Sequence, residues 1–287
     1  MKKFITLCLV LATSTYAQAE IHARPKPGYE NTNLDGISKV NNSVYLSGQM
    51  TGFGYTEYDG NDNWFNQQTG FLWGARTGVT YTIDNIYLNA EIYSVGGDTQ
   101  YKGGITDGFR TEPFSSHGEN SFTVGSVKAG YTFYLQDEIA LTPYFEFGAR
   151  YWDRKIDGGS SATFNAGSVQ ETYQTMFADI GLLFQYEIIK GLVINLLGSV
   201  GSTINPTMKI ESGFGAGVDG TEFDQGTSAI YEIDLSANYF ITESFSILGG
   251  LEFTYFEFGK SNTVNGFLEP KSTTKQGNLY VGLAYSF

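Results

Sequence analysis

The chain has 287 residues, with 17 Lys and Arg against 30 Asp and Glu, a formal net charge of −13 and only 16% charged residues, where soluble proteins carry about 25%. The acidic balance argues against nucleic acid as a partner, because that binding needs a basic surface, and a single cysteine allows no disulfide framework. Aromatic residues reach 16%, with 20 Tyr, 22 Phe and 36 Gly but only 6 Pro. No later stretch is apolar for the about 20 residues that a membrane helix needs, so the composition is the one alternating membrane strands produce.

Met1-Lys2-Lys3 is basic, Phe4 to Leu11 is apolar, and Ala17-Gln18-Ala19 fits a small-residue cleavage site. Residues 1–19 therefore read as a secretory signal peptide. Cys8 lies inside this leader, so the mature chain is expected to offer no thiolate chemistry. Loss of Lys2 and Lys3 leaves 15 basic against 30 acidic residues, a charge of −15. Residues 20–42 are polar, contain Pro25 and Pro27, and are expected to form an irregular periplasmic segment that could partly plug a lumen.

From residue 43 to 287 apolar and polar residues alternate in about ten segments, each longer than an ordinary globular strand. The expected strands cover about 43–57, 67–82, 86–96, 120–135, 139–156, 170–187, 192–210, 227–240 and 245–259, and then the terminal segment. One face of them carries Leu46, Phe71, Trp73, Val127, Phe145, Phe147, Ile180, Leu182, Leu196, Ile233, Leu235 and Leu251. The other carries Arg76, Glu91, Lys128, Glu146, Arg150, Asp179, Glu232, Asp234 and Glu252. Charges of both signs in strand middles can pair across a lumen, which small barrels fill with side chains. Tyr81, Tyr131, Phe133, Tyr186, Tyr239, Phe245 and Tyr285 stand near strand ends, as interfacial aromatic girdles do. Short turns at about 83–85, 136–138, 188–191 and 241–244 alternate with longer polar stretches at about 58–66, 97–119, 157–168, 211–226 and 262–275. Such a rhythm fits periplasmic turns and extracellular loops. The expected fold is all-β, a membrane-spanning antiparallel up-and-down β-barrel. A soluble lipocalin-like barrel is the alternative, and it would turn these charges outward.

The chain ends Leu279-Tyr280-Val281-Gly282-Leu283-Ala284-Tyr285-Ser286-Phe287. Phe287, Tyr285, Leu283, Val281 and Leu279 share one face, and the terminal Phe resembles the C-terminal signature of bacterial outer-membrane β-barrels. That resemblance implies a cell outer-membrane location in a Gram-negative envelope. It also implies partners: outer-membrane lipid and lipopolysaccharide, and the barrel assembly machinery through Phe287. A monomer is expected.

Ten strands, this loop rhythm and the ending also resemble the omptin family of outer-membrane proteases, most clearly over Tyr231 to Tyr239 and the following Phe245 to Tyr255. The resemblance implies an aspartate pair facing an Asp–His pair across the barrel mouth. Asp98, Asp107, Glu112, His117 and Glu119 fall in the first region, and Asp219, Glu222 and Asp224 in the second, which has no histidine. His22 and His117 are the only histidines. Without a base beside an aspartate, water activation lacks its parts; a rearranged dyad of His117 with Asp219 is the one substitute. Gly213-x-Gly215-x-Gly217 lacks the strand–helix context of a phosphate loop, and Asp59 and Asp62 lack a calcium-loop spacing. No catalytic, cofactor or metal residue is assigned. The expected function is a non-enzymatic surface or envelope protein whose loops serve adhesion or ligand contact. An atypical omptin-like hydrolase or a narrow porin-like channel are the alternatives.

If the terminal aromatic is the insertion signal, deleting Phe287 should lower outer-membrane yield and leave export intact. Quantifying heat-modifiable barrel in membrane fractions checks this, and an undiminished yield would refute it.

Overall fold

The computed structural model describes residues 35–59, 63–106, 111–160, 165–213 and 218–287. Residues 1–34, which include the expected signal peptide, lie outside the described residues. A short helix comes first, α1 (Asp35–Val40). The strands in chain order are β1 (Ser43–Tyr58), β2 (Trp64–Ile83), β3 (Ile86–Thr106), β4 (Thr111–Tyr131), β5 (Phe133–Gln136), β6 (Ile139–Ile156), β7 (Gly159–Ser160), β8 (Asn165–Ala166), β9 (Val169–Ile189), β10 (Leu192–Ser212), β11 (Glu222–Asp224), β12 (Ala229–Phe240), β13 (Phe245–Phe258), β14 (Thr263–Val264), β15 (Phe267–Leu268) and β16 (Ser272–Ser286).

β5 prolongs β4 past Thr132, whose N–H turns to the carbonyl of Asn85. Counting these two as one, ten antiparallel strands pair in the order β1, β2, β3, β4, β6, β9, β10, β12, β13, β16. β16 then pairs with β1 in unbroken register from Ser43 opposite Ser286 to Glu57 opposite Ser272. The sheet is closed, so no edge is left unpaired. At one end the turns are tight: Asp84 and Asn85 both take positive φ, 46° and 74°, as a two-residue hairpin turn demands. This is the periplasmic end in barrels of this type.

The faces divide as the alternation predicts. Leu46, Phe71, Trp73, Ile180 and Leu251 are each 60–64% exposed. Arg76, Glu146 and Asp179 are 2–4% exposed inside. The expected girdle residues Tyr81, Tyr131, Phe133, Tyr186, Tyr239, Phe245 and Tyr285 are all exposed on the outer face. An outer wall of bare Leu, Ile, Phe and Trp suits lipid and would be untenable in water. The soluble alternative is therefore set aside.

Several strands run further than expected. Residues 97–106 and 111–119, read as loop, are β3 and β4, paired as far as Thr106 opposite Thr111. β2 begins at Trp64, β10 runs to Ser212, and β16 begins at Ser272. The hairpins β7–β8 and β14–β15 fold inside the connecting segments, and residues 35–40 are helical rather than irregular. The common cause is that the alternation changes sign along a strand. In β6, Phe145 and Phe147 face outward and Glu146 and Arg150 inward; a few residues later Trp152 is inside while Lys155 is less buried on the other face. β9 does the same, with Ile180 and Leu182 out, Asp179 in, and then Phe177 and Tyr173 in. Side-chain parity is fixed by the strand, but the solvent outside changes from lipid to water.

Inner small residues make room for inner rings. Tyr45 lies opposite Gly78, Tyr144 opposite Gly181, Phe177 opposite Gly148 and Tyr280 opposite Gly250. In each pair the ring occupies the place a Cβ on the glycine would take. At the short-turn end α1 enters the lumen. Ile37 is fully buried against Ala140 and Val193, with Tyr134 and Phe240 around it. The Gly36 N–H donates to Glu187 Oε2 at 3.2 Å, and Asn41 Nδ2 to Gln185 Oε1 at 2.8 Å.

Leu235→Arg on the outer face should destabilise the barrel by about 2–4 kcal/mol, and the neighbouring inward Ser236→Arg by less. Urea unfolding in micelles measures both, and the reverse ranking would place the apolar face inside.

Candidate functional site

The lumen holds three side-chain layers above α1. The lowest is ionic. Arg76 of β2 reaches Glu252 of β13 at 2.6 Å and Glu91 of β3 at 3.7 Å, and its Nε donates to Gln49 Oε1 at 2.9 Å. Its guanidinium lies 4.6 Å from the Tyr280 ring centroid and 5.0 Å from that of Tyr93. Tyr280 donates to Asp234 at 2.7 Å, Tyr45 donates to Glu91, and Lys128 lies 3.5 Å from Glu146. Between this layer and α1 is a cavity of about 130 Å³, lined by Asn41, Tyr45, Arg76, Glu91, Asp234 and Glu252 among others.

The second layer is aromatic and sits where the outer face changes from apolar to polar. Fully buried Trp152 stacks on Tyr173 at 4.4 Å and on Phe122 at 5.0 Å. Tyr55 and Phe53 meet its edges at 5.0 and 5.8 Å. Phe258 lies 6.4 Å away, so β1, β4, β6, β9 and β13 all meet on one ring. Trp152 Nε1 donates to Asn120 Oδ1 at 2.8 Å, which satisfies its one polar group. Arg150 lies against this layer from below, 3.8 Å from the Phe256 ring centroid.

The third layer, toward the long-loop end, is centred on Arg154, which is 2% exposed. Its Nη1 lies 2.8 Å from both Glu57 and Glu171, and its Nε donates to Gln68 at 2.8 Å. Tyr55 donates to Glu57 Oε1 at 2.6 Å. Tyr173 Oη is 3.1 Å from Glu171 Oε2 and 3.1 Å from Glu269 Oε1. Val218, Phe223 and Val264, from the connecting segments, pack on the same aromatic cluster.

The residues considered from sequence are not brought together. His117 lies on β4 between buried Gly118 and Ser116, opposite Gln100, and is exposed. Asp98 pairs in register with Glu119, and both are exposed. Asp219, Glu222 and Asp224 are exposed at the other side of the mouth. Asp107 and Asp62 lie outside the described residues. Asp59 accepts the Asn63 N–H at 2.9 Å and closes a turn. Among the described residues no group of three or more His, Cys, Asp or Glu is arranged to hold a metal. Sequence reasoning missed the stack around Trp152 and the Arg154 layer. The signal was present: Phe53, Tyr55 and Glu57 share parity with Ser47, Gln49 and Thr51.

Closed ladder, lipid-type exterior and filled interior define a ten-stranded outer-membrane β-barrel. The fold is similar to the crystal structure of the outer membrane protease OmpT from Escherichia coli, with a TM-score of 0.56 and 11% identity over 85% of this chain and 95% of that one. Other similar structures are the P. putida toluene transporter TodX, with a TM-score of 0.37 and 9% identity over 90% and 93%, and Neisserial surface protein A, with 0.32 and 13% over 85% and 97%. At these identities the likeness is one of fold. No protein family and no curated protein matches the sequence.

Arg154→Met would leave Glu57 and Glu171 buried without their cation and should destabilise the barrel by about 3–5 kcal/mol. Adding Glu57→Gln and Glu171→Gln should recover much of that loss. Unfolding midpoints in micelles test this, and a neutral Arg154→Met would refute it.

Proposed function

We propose that this protein is an outer-membrane surface protein that acts through its extracellular end, neither conducting solutes nor hydrolysing peptides. The observation that carries the reading is the lumen itself. Helix, ionic layer, Trp152 stack and Arg154 layer follow one another along the axis, each built of buried side chains that meet from several strands. Such a path is too obstructed for a hydrated ion.

The extracellular end supports a contact role. β2, β3 and β4 project beyond the apolar band as a paired wall with polar outer residues. Phe65 lies six residues past Phe71 on the outward face, about 20 Å further along the strand. It is exposed there together with Trp64, Phe267 and Leu268. These side chains stand above the lipid-facing girdle, where apolar exposure marks contact surfaces. Outer-leaflet lipid and lipopolysaccharide against the apolar wall, assembly machinery at Phe287, and a monomeric state complete the proposal.

The second reading, a hydrolase, draws on the fold shared with a protease. Function follows the site rather than the fold. Exposed His117 on β4 has no aspartate across from it, its register partner being Gln100. Purified barrel is expected to give no steady conductance in planar bilayers and no cleavage of basic-site peptides with lipopolysaccharide present. Stable ohmic channels would replace the reading with a pore. Cleavage lost in His117→Ala would replace it with an enzyme.

A further inference from the structure

The segment between β13 and β16 is folded across the mouth like a strap. Its ends are pinned by backbone: Gly259 N–H donates to the Gly226 carbonyl at 3.1 Å, and Tyr58 N–H to that of Lys271 at 2.9 Å. Inside it, the Ser261 N–H donates to the Glu269 carbonyl at 3.0 Å, and the Glu269 N–H to Ser261 Oγ at 2.8 Å. β14 and β15 form its hairpin, with Asn265 and Gly266 at φ 51° and 83°. The Asn262 N–H donates to the Asp224 carbonyl at 3.3 Å, and side chains also hold the strap to the barrel. Val264 packs on the aromatic cluster, and the Glu269 carboxyl meets Tyr173.

We propose that this strap is docked by a proton on Glu269 and is released when that proton is lost. Hydrogen counting carries the argument. Tyr173 Oη is 3.1 Å from Glu171 and 3.1 Å from Glu269, yet a phenol has one hydrogen to donate. Glu171 is ion-paired to Arg154 and is the ionised acceptor. The second hydrogen bond then takes its hydrogen from the Glu269 carboxyl, which donates to Tyr173 Oη. Tyr55 cannot supply it, because its hydrogen goes to Glu57.

Charge counting agrees. The groups facing Glu269 are Glu57 and Tyr55 from β1, Arg154 from β6, and Glu171 and Tyr173 from β9. Glu57 and Glu171 already outnumber Arg154. On the strap itself Lys271 is engaged by Glu257 at 3.6 Å. Burial first, and then repulsion from Glu57 and Glu171, hold the Glu269 carboxyl well above the ordinary glutamate range, with Arg154 offsetting only part. A carboxyl raised in the docked state favours docking in acid. That contribution is complete below the ordinary glutamate value, about 4.3, and is lost as pH rises to the docked value. Within this window each pH unit weakens docking about tenfold.

A nitroxide on exposed Phe267→Cys, in a Cys8→Ser background, reads the strap directly. The label should be immobilised at pH 5 and acquire a growing mobile population as pH rises, with the barrel still heat-modifiable throughout. Glu269→Gln should stay immobilised across the range. Glu57→Gln, which removes one repelling charge, should reduce the mobile fraction at the alkaline end. A pH-independent wild-type spectrum, or an unchanged pH response in Glu269→Gln, would overturn the proposal; neither result bears on conductance or on surface contact.

Discussion

Everything in this structure depends on the closure of the backbone ladder between β1 and β16. In hydrocarbon no water is available to an unpaired N–H or C=O, so a spanning sheet must have no edge. The seam from Ser43–Ser286 to Glu57–Ser272 meets that condition without a bulge. Once it is closed, parity follows for every residue on every strand, and a slip by one would turn Arg76 and Glu252 into lipid. The two Arg centres reinforce the register. Arg76 joins β2 to β3 and β13, and Arg154 joins β6 to β1 and β9. Buried ion pairs add little net stability, but breaking one costs much. They therefore penalise wrong registers more than they strengthen the right one.

Along the axis the barrel is two proteins in one. Its lower part is inverted, with Leu, Ile and Phe outside and ion pairs inside. Its upper part follows the rule for water, with Trp152, Phe122, Phe258 and Tyr173 inside and polar residues such as Asp98, Lys102 and Glu119 outside. The hydrophobic effect drives the packing of the upper part, where exposed aromatic area would meet water. In the lower part it acts between barrel and lipid. The Trp152 stack marks the level of exchange and also closes the bore.

This exchange explains what the sequence disclosed and what it concealed. Within the lipid band a single phase of alternation runs through Val127-Lys128-Ala129 or Tyr231-Glu232-Ile233-Asp234-Leu235, and the strands, the two faces and the fold class were legible from it. Above the band the phase turns over. Thr99-Gln100-Tyr101-Lys102 then resembles polar loop, although Tyr101 is buried and the strand continues. Length without a phase is why residues 97–119 read as a loop and why His117 was placed in one. The mouth was less legible still. Glu57, Glu171 and Glu269 are far apart in sequence, and their meeting on Arg154 and Tyr173 is a product of barrel closure.

The acidic excess and the abundance of tyrosine belong to the same account. In both ionic layers carboxylates outnumber cations: Glu91, Glu146, Asp179, Glu232, Asp234 and Glu252 against Arg76, Lys128 and Arg150, then Glu57, Glu171 and Glu269 against Arg154. A buried carboxylate that lacks a cation or shares one needs further hydrogen-bond donors. Tyr45 donates to Glu91, Tyr280 to Asp234, Tyr55 to Glu57 and Tyr173 to Glu171. Each phenol packs a large ring and ends in one donor, whereas a phenylalanine would fill the space and leave the charge unsolvated. Two of these rings, Tyr45 and Tyr280, lie on a cross-strand glycine, so the small residues of the inner face are also part of the arrangement. An acidic lumen is thereby filled by rings whose hydroxyls face its carboxylates.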